Sequence, residues 1–191
     1  MKIKRTSKST TKFMTATKKG LLNTVMDEYR DLVNRFIGMF WEQSYALKDL
    51  TKEITNVPES WLSARMRQCA AREALGMVNG AKETDRKRQE TPRMPVHSGK
   101  KMMLSAQIAD IQIGQNSFDL WIILSSIGNE IQIKIPIKRH RHFNWFRDWN
   151  MATTIVVHRH YIQFSFETET GAKVVSGQLL GVDVGINHLL A

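Results

Sequence analysis

The stretch GQLLGVDVGINHLLA, residues 177–191, sets one carboxylate, Asp183, among small and apolar residues. An unpaired charge in such surroundings is costly, so Asp183 needs a metal ion, a sheet edge or a hydrogen-bond network. Gly181 and Gly185 leave the nearby backbone open to close approach. A second set of residues suits nucleic acid. Ser63, Arg65, Arg67, Gln68 and Arg72 fall in one short stretch, and Arg and Gln make bidentate contacts with guanine and adenine edges. Lys2, Lys4, Arg5, Lys100 and Lys101 are candidates for phosphate contacts. Arg139 and Arg141 open the run KRHRHFNWFRDW, 138–149, where bases alternate with Phe143, Trp145, Phe146 and Trp149. Such interleaving suits single strands and nucleic-acid ends. The same run could instead be a short helix that packs its aromatics on a sheet, and both readings stay open. His140, His142, His158 and His160 form two H-x-H pairs with no Cys or carboxylate set nearby, which is a weak zinc signal.

These residues must be carried by helices first and strands later. Residues 1–20 hold seven bases and no acid, and KIKRTSKSTTKF reads as an extended strand or arm. From Thr17 to about Leu47, apolar residues from Leu21 to Phe40 recur at spacings of three and four, which predicts one long amphipathic helix. Thr15 or Thr17 can cap it. A second helix is predicted over 55–90, with Pro58 in its first turn and Trp61, Leu62, Met66, Cys69, Ala70 and Leu75 on its apolar side. ETPRMPVHSGKKM, 90–102, breaks the periodicity and reads as a connector. Beyond it come short β-branched segments: LSAQIADIQI, SFDLWIILSS, NEIQIKIPIK, MATTIVVHRH and YIQFSFETET. Turns are predicted at 127–129 and 158–160. In NEIQIKIPI the four isoleucines alternate with Gln132 and Lys134, as in a half-buried antiparallel strand. Strands of this kind suggest a barrel or sandwich, and the fold class is α+β.

The chain has 191 residues, with 28 Lys and Arg against 18 Asp and Glu, a net charge of +10. That balance favours a polyanionic partner, nucleic acid before an anionic membrane face. One cysteine, Cys69, excludes an internal disulfide and a thiolate zinc cluster, and it reads as a small buried apolar residue. No run reaches the length of a membrane span, and the N-terminus lacks the apolar core of a signal peptide. The expected setting is reducing and cytoplasmic.

GVDVGINHLLA resembles the first RuvC motif of the transposon-encoded TnpB proteins and their CRISPR type V relatives, which are RNA-guided DNA nucleases. LSARMRQCAAREAL resembles a helix of their recognition lobe, and YIQFSFETE leading into LLGVDVGIN is similar to their approach to the first catalytic strand. The order of basic strand, helices, barrel strands and RuvC start also resembles their N-terminal half. The resemblance implies an antiparallel, oligonucleotide-binding-like wedge barrel with a helical recognition part inserted in it. It assigns 1–16 to the first wedge strand, 17–90 to the recognition part, 91–172 to the wedge barrel and 173–191 to the start of an RNase H-like (RuvC) domain. It further implies a guide RNA and a double-stranded target DNA with a short flanking motif as partners, and a nucleoid-associated location in a prokaryote. Asp183 would be the first catalytic ligand of Mg²⁺ in a two-metal hydrolysis.

The family draws its further acids and a cysteine-based zinc element from later segments. Asp183 alone cannot hold a two-metal site. The expectation is therefore a chain that does not cleave by itself, whether completed by a C-terminal nuclease half, by a second copy, or not at all. Two alternatives stand beside it. One is a nuclease-dead nucleic-acid-binding regulator or accessory protein. The other is an actin-like ATPase fragment, since those carry a similar G-x-D-x-G; they usually follow it with Thr or Ser, where this chain has Ile186 and Asn187.

Overall fold

The computed structural model describes residues 2–43, 45–89, 91, 93–114 and 117–169. Strand β1 (Lys2–Thr10) leads into helix α1 (Ala16–Glu42), a 3₁₀ turn at 47–49, the short helix α2 (Lys52–Asn56) and helix α3 (Ala64–Arg88). Then follow β2 (Lys101–Leu104), β3 (Ala109–Ile113), β4 (Leu120–Leu124), β5 (Ile133–Ile137), the single turn α4 (Arg141–Asn144), β6 (Asn150–Met151), β7 (Ile155–His158) and β8 (Tyr161–Glu169).

Thr15 caps α1, its hydroxyl accepting from the Lys18 amide at 3.4 Å. The buried face of α1 is the periodic set Leu22, Val25, Met26, Tyr29, Leu32, Val33, Phe36, Ile37 and Phe40. The helix stops at Glu42, short of the expected Leu47. Two local contacts turn the chain there. The Tyr45 ring packs back on Phe40 at 4.9 Å, and the Asp49 carboxylate accepts from the Ala46 amide at 2.7 Å, starting a new turn.

The second long helix begins at Ala64, not near Thr55. Residues 52–56 form a separate turn, and Pro58 lies between the two. Proline has no N–H to give to the Ile54 carbonyl, so α2 cannot continue through it. Val57 donates to that carbonyl instead, at 3.3 Å. Ser63 then supplies a fresh cap, accepting from the Met66 amide at 3.2 Å.

All strand pairs among the described residues are antiparallel. The larger sheet has the order β1-β8-β7-β2, with β6 also paired to β8, and the smaller one runs β3-β4-β5. LSAQIADIQI is two strands rather than one. The amides of Ile108 and Ala109 both donate to the Ser105 carbonyl at 3.0 Å, and this corner carries the chain from the larger sheet to the smaller. The turns at 127–129 and 158–160 fall where expected, the first with Gly128 and Asn129 at positive φ.

The two sheets close over one apolar core that the helices share. Leu104, Ile122, Ile135, Val157, Ile162 and Phe164 are fully buried in it. The expected closed barrel is not formed: among the described residues no ladder joins the sheets. At β1 the junction is made by side chains. His140 Nε2 meets the Lys8 carbonyl at 2.8 Å, and the Ser7 hydroxyl meets His142 Nδ1 at 3.2 Å. An imidazole that satisfies one backbone carbonyl stands where a neighbouring strand would have paired. The segment 173–191, with Asp183 and the expected RuvC start, lies outside the described residues.

No described helix is long and apolar enough to cross a membrane.

Candidate nucleic-acid interface

Helix α3 sorts its polar residues by position. Arg65, Gln68 and Arg72 follow one another at intervals of three and four, so they share a face. That face opposes the β2–β3 corner and the break between β6 and β7, and the space between them is a groove of about 320 Å³. Its walls are Ser105, Ala106 and Gln107 on one side and Thr153 and Thr154 on the other. The break exists because Ala152 donates to the Ser165 carbonyl at 2.8 Å while Thr153 and Thr154 leave the ladder before β7 resumes. Arg65 reaches the Gln107 carbonyl at 3.4 Å, which leaves most of its guanidinium donors unused.

The groove runs into a larger, mostly apolar cavity of about 490 Å³. Arg72, Met77, Lys101 and Met103 line it, with Glu73 at its base. Glu73 is a buried carboxylate, with only 4% of its side chain exposed. Its Oε2 accepts from the Tyr29 hydroxyl at 3.0 Å and the Met103 amide at 3.3 Å. Its Oε1 lies 3.5 Å from His97 Nε2 and 3.7 Å from Lys101 Nζ. Burial pushes this carboxyl up, but the bonds from His97 and Tyr29 and the charges of His97 and Lys101 outweigh it and hold it below the usual range. Burial first, then the neighbouring Glu73 charge, raises the Tyr29 hydroxyl well above its ordinary value. His97 is anchored by Asn34, which accepts from its amide at 2.8 Å and donates to its carbonyl at 3.1 Å.

The residues singled out in the sequence thus divide. Arg65, Gln68 and Arg72 come together on the groove, with Lys101 in the adjoining cavity. Arg67 points elsewhere, its Nε buried without a hydrogen-bond partner among the described residues. Ser63 is used as the cap of α3, and its hydroxyl also donates to the Ser126 carbonyl. Lys2 and Lys4 lie across the strand from Glu167, at 3.9 and 3.7 Å. Arg5 and Lys100 are exposed. Arg139 stacks on the Phe143 ring at 5.6 Å while its amide donates to Asp119 at 2.7 Å, and Arg141 is exposed at the start of α4.

The aromatic run around α4 divides in the same way. Phe143 and Phe146 are buried against Phe164 and Phe166, which is core packing. Trp145 is left 64% exposed. Among the described residues no group of three His, Cys, Asp or Glu is placed to share a metal ion. His140 stacks beside His142, and His158 stacks on Tyr161.

Sequence inspection missed the Tyr29–Glu73–His97 network. Its one signal is Glu73 itself, an acid inside the apolar spacing of α3. The groove presents two guanidinium groups and a carboxamide, donors of the kind that suit anionic or hydrogen-bonding ligands. Compared with models of protein families and with curated proteins, the sequence matches none of them.

Proposed function

We propose that this chain binds nucleic acid, as the guide-RNA- and target-DNA-binding N-terminal portion of an RNA-guided DNA endonuclease of the TnpB and type V kind. The observation that carries the binding half of this reading is the alignment of Arg65, Gln68 and Arg72 along one groove. A net charge of +10 supports it. The endonuclease half rests on the terminal GVDVGIN motif and on the order of basic strand, helices and antiparallel strands. In this reading the two sheets are the wedge, α1 to α3 the recognition part, and 173–191 the first RuvC strand. Asp183 would be one of several carboxylates holding Mg²⁺, which would supply an activated water for phosphodiester hydrolysis. Asp183 by itself cannot hold a two-metal site, so in this reading the chain's own task is binding, and cleavage by it alone is not expected.

The test is to purify the chain from the cells that encode it and to sequence the RNA that accompanies it. One dominant structured RNA, lost in an Arg65→Ala/Gln68→Ala/Arg72→Ala variant that still folds, is the expected result. No RNA together with no binding to duplex or single-stranded DNA would overturn the proposal. DNA binding without RNA would move the reading to a regulator.

A further inference from the structure

The outward face of the larger sheet carries a second cluster of cations, which meets the cavity beside the α3 groove at Lys101 and extends away from it across the strands. Strand register places Lys8 of β1 opposite Gln163 of β8, and Lys101 of β2 opposite His158 of β7. Side chains alternate along a strand, so Lys4 and Lys8, Tyr161 and Gln163, His158, and Lys101 all project from the same face. The opposite face holds Ile162, Phe164, Val157 and Met102 and is buried.

Three contacts organise the cluster. The His158 ring stacks on Tyr161 at 4.0 Å and 21°. Lys8 Nζ sits 5.1 Å from the centre of the Tyr161 ring. Burial first, and then the charges of Lys8 and Lys101, hold the His158 imidazole below its ordinary value, against a hydrogen bond to the Lys100 backbone that works the other way. Among the described residues the acid paired with Lys8, Lys101 or His158 is Glu73, which faces Lys101 from the helix side. Lys4 has its own partner in Glu167 further along β1.

We propose that Lys8, Lys101 and His158 bind a backbone phosphate of an unpaired nucleic-acid strand, with an adjoining base against the His158–Tyr161 stack. This rests on the nucleic-acid reading above and adds a second contact point, on the sheet, to the one on α3. A phosphate suits the position because it brings negative charge to a histidine on which two lysine charges act, with one acid paired to the three groups among the described residues. An aromatic pair beside a phosphate grip is the usual pattern for single strands, since every base offers a π-face.

The arrangement has a consequence that a plain lysine patch lacks. In the free protein His158 is disfavoured as a cation by burial and by its two lysine neighbours. A bound phosphate removes the repulsion and favours the imidazolium, so binding takes up a proton. Affinity must then rise as pH falls through the histidine range.

The experiment titrates a fluorescein-labelled single-stranded oligouridylate into the full chain, from about pH 8 to about pH 5 at fixed ionic strength. His158→Gln, Lys8→Ala and the triple groove variant are run beside wild type. The proposal expects wild type to bind more tightly at the acid end, by up to about tenfold, the factor carried by one pKa unit. His158→Gln should bind with a flatter profile, and the difference between the two profiles isolates His158 from His140, His142 and His160. Lys8→Ala should weaken binding at every pH and reduce the slope of log affinity against log salt by about 0.7, one phosphate's share on a single strand. Identical pH profiles for wild type and His158→Gln, or an unchanged salt slope in Lys8→Ala, would overturn the inference. So would equal use of Lys8 and His158 by a duplex. If wild type binds and only the groove variant is impaired, the sheet site fails and the nucleic-acid reading stands. If wild type does not bind at all, both fall.

Discussion

The seam between α1 and α3 and the core between the two sheets are both buried, yet they are held in different ways. The sheet core is mostly apolar: Ile122, Ile135, Val157, Ile162 and Phe164 are fully buried in it, and its buried polar side chains are small hydroxyls along the β1 edge, Ser7, Ser9 and Thr11. The seam carries a carboxylate, a phenol and an imidazole at its centre. Burial of apolar surface has no direction and little dependence on pH. A buried carboxylate is favourable only while every partner is in place. The sheets therefore form an apolar platform; α3 also buries Met66, Ala70, Ala74 and Val78, but its placement, and with it that of the Arg65–Gln68–Arg72 face, is set in addition by a few specific bonds.

The largest effect should come from the platform. Phe164→Ala removes a fully buried ring that Phe143 meets edge-on at 5.3 Å, and should cost about 4 kcal/mol of unfolding free energy in urea titrations. Glu73→Ala leaves the Tyr29 hydroxyl and the Met103 amide without their acceptor and takes the carboxylate away from His97, and should cost about 3 kcal/mol at neutral pH.

Acid separates the two variants. The Glu73 carboxyl is held below its ordinary value of 4.5, so its contribution is present above that pH and is lost as pH falls through the lower, folded value. The Glu73→Ala penalty should shrink in acid while the Phe164→Ala penalty persists. Equal penalties at every pH would show that the seam is apolar in effect and that the network contributes nothing specific. At the other end of the scale, Tyr29 is raised well above 10.0. Its contribution is present below pH 10 and is lost as pH rises towards the folded value, so an alkaline limb should appear in wild type and vanish in Tyr29→Phe.

A smaller effect sharpens the comparison where the seam meets the smaller sheet. Gly128 in the β4–β5 turn has φ of +136°, and a Cβ there would run into the Trp61 carbonyl and come within 3.1 Å of the Ser63 amide nitrogen. That amide donates to the Ile127 carbonyl at 2.7 Å, so the turn docks the start of α3. Gly128→Ala should cost about 2 kcal/mol through backbone strain and loss of this docking. It should also weaken nucleic-acid binding more than Phe164→Ala does per folded molecule, because it displaces the helix that carries the groove.

Much of this was legible in the sequence where periodicity is strong. The face of α1 from Leu22 to Phe40, the alternation of β5 and β8 and the hairpin turn at 158–160 follow from spacing alone. The start of α3 was not legible, because Pro58 is as good a first-turn residue as any, and only the fold shows the Ser63 hydroxyl capping the Met66 amide while its own amide is docked on the Ile127 carbonyl. Nor could spacing show that LSAQIADIQI bends at Ser105. On the candidate interface, helical spacing alone groups Arg65, Gln68 and Arg72 and sets Arg67 apart. What it cannot reveal is the wall opposite them, since Thr153 and Thr154 arrive from a break in a strand eighty residues away in rough terms. The pairing of Lys2 and Lys4 with Glu167 needed the β1–β8 register.

The smallest effect tests that separation most directly. From residue type alone Ser63 is as good a reader of base edges as Gln68. In the fold its hydroxyl accepts from the Met66 amide at 3.2 Å and donates to the Ser126 carbonyl, so both its capacities are used inside the protein. Ser63→Ala should lower stability by about 1 kcal/mol, the worth of an N-cap, and leave affinity for nucleic acid unchanged once the folded fraction is matched. Gln68→Ala should do the reverse, because Gln68 lines the groove and makes no side-chain hydrogen bond among the described residues. Thermal melts and oligonucleotide titrations on the same two preparations measure both. If Ser63→Ala costs binding and Gln68→Ala does not, the groove is not the interface and the functional face of α3 is its N-terminus against the β4–β5 turn.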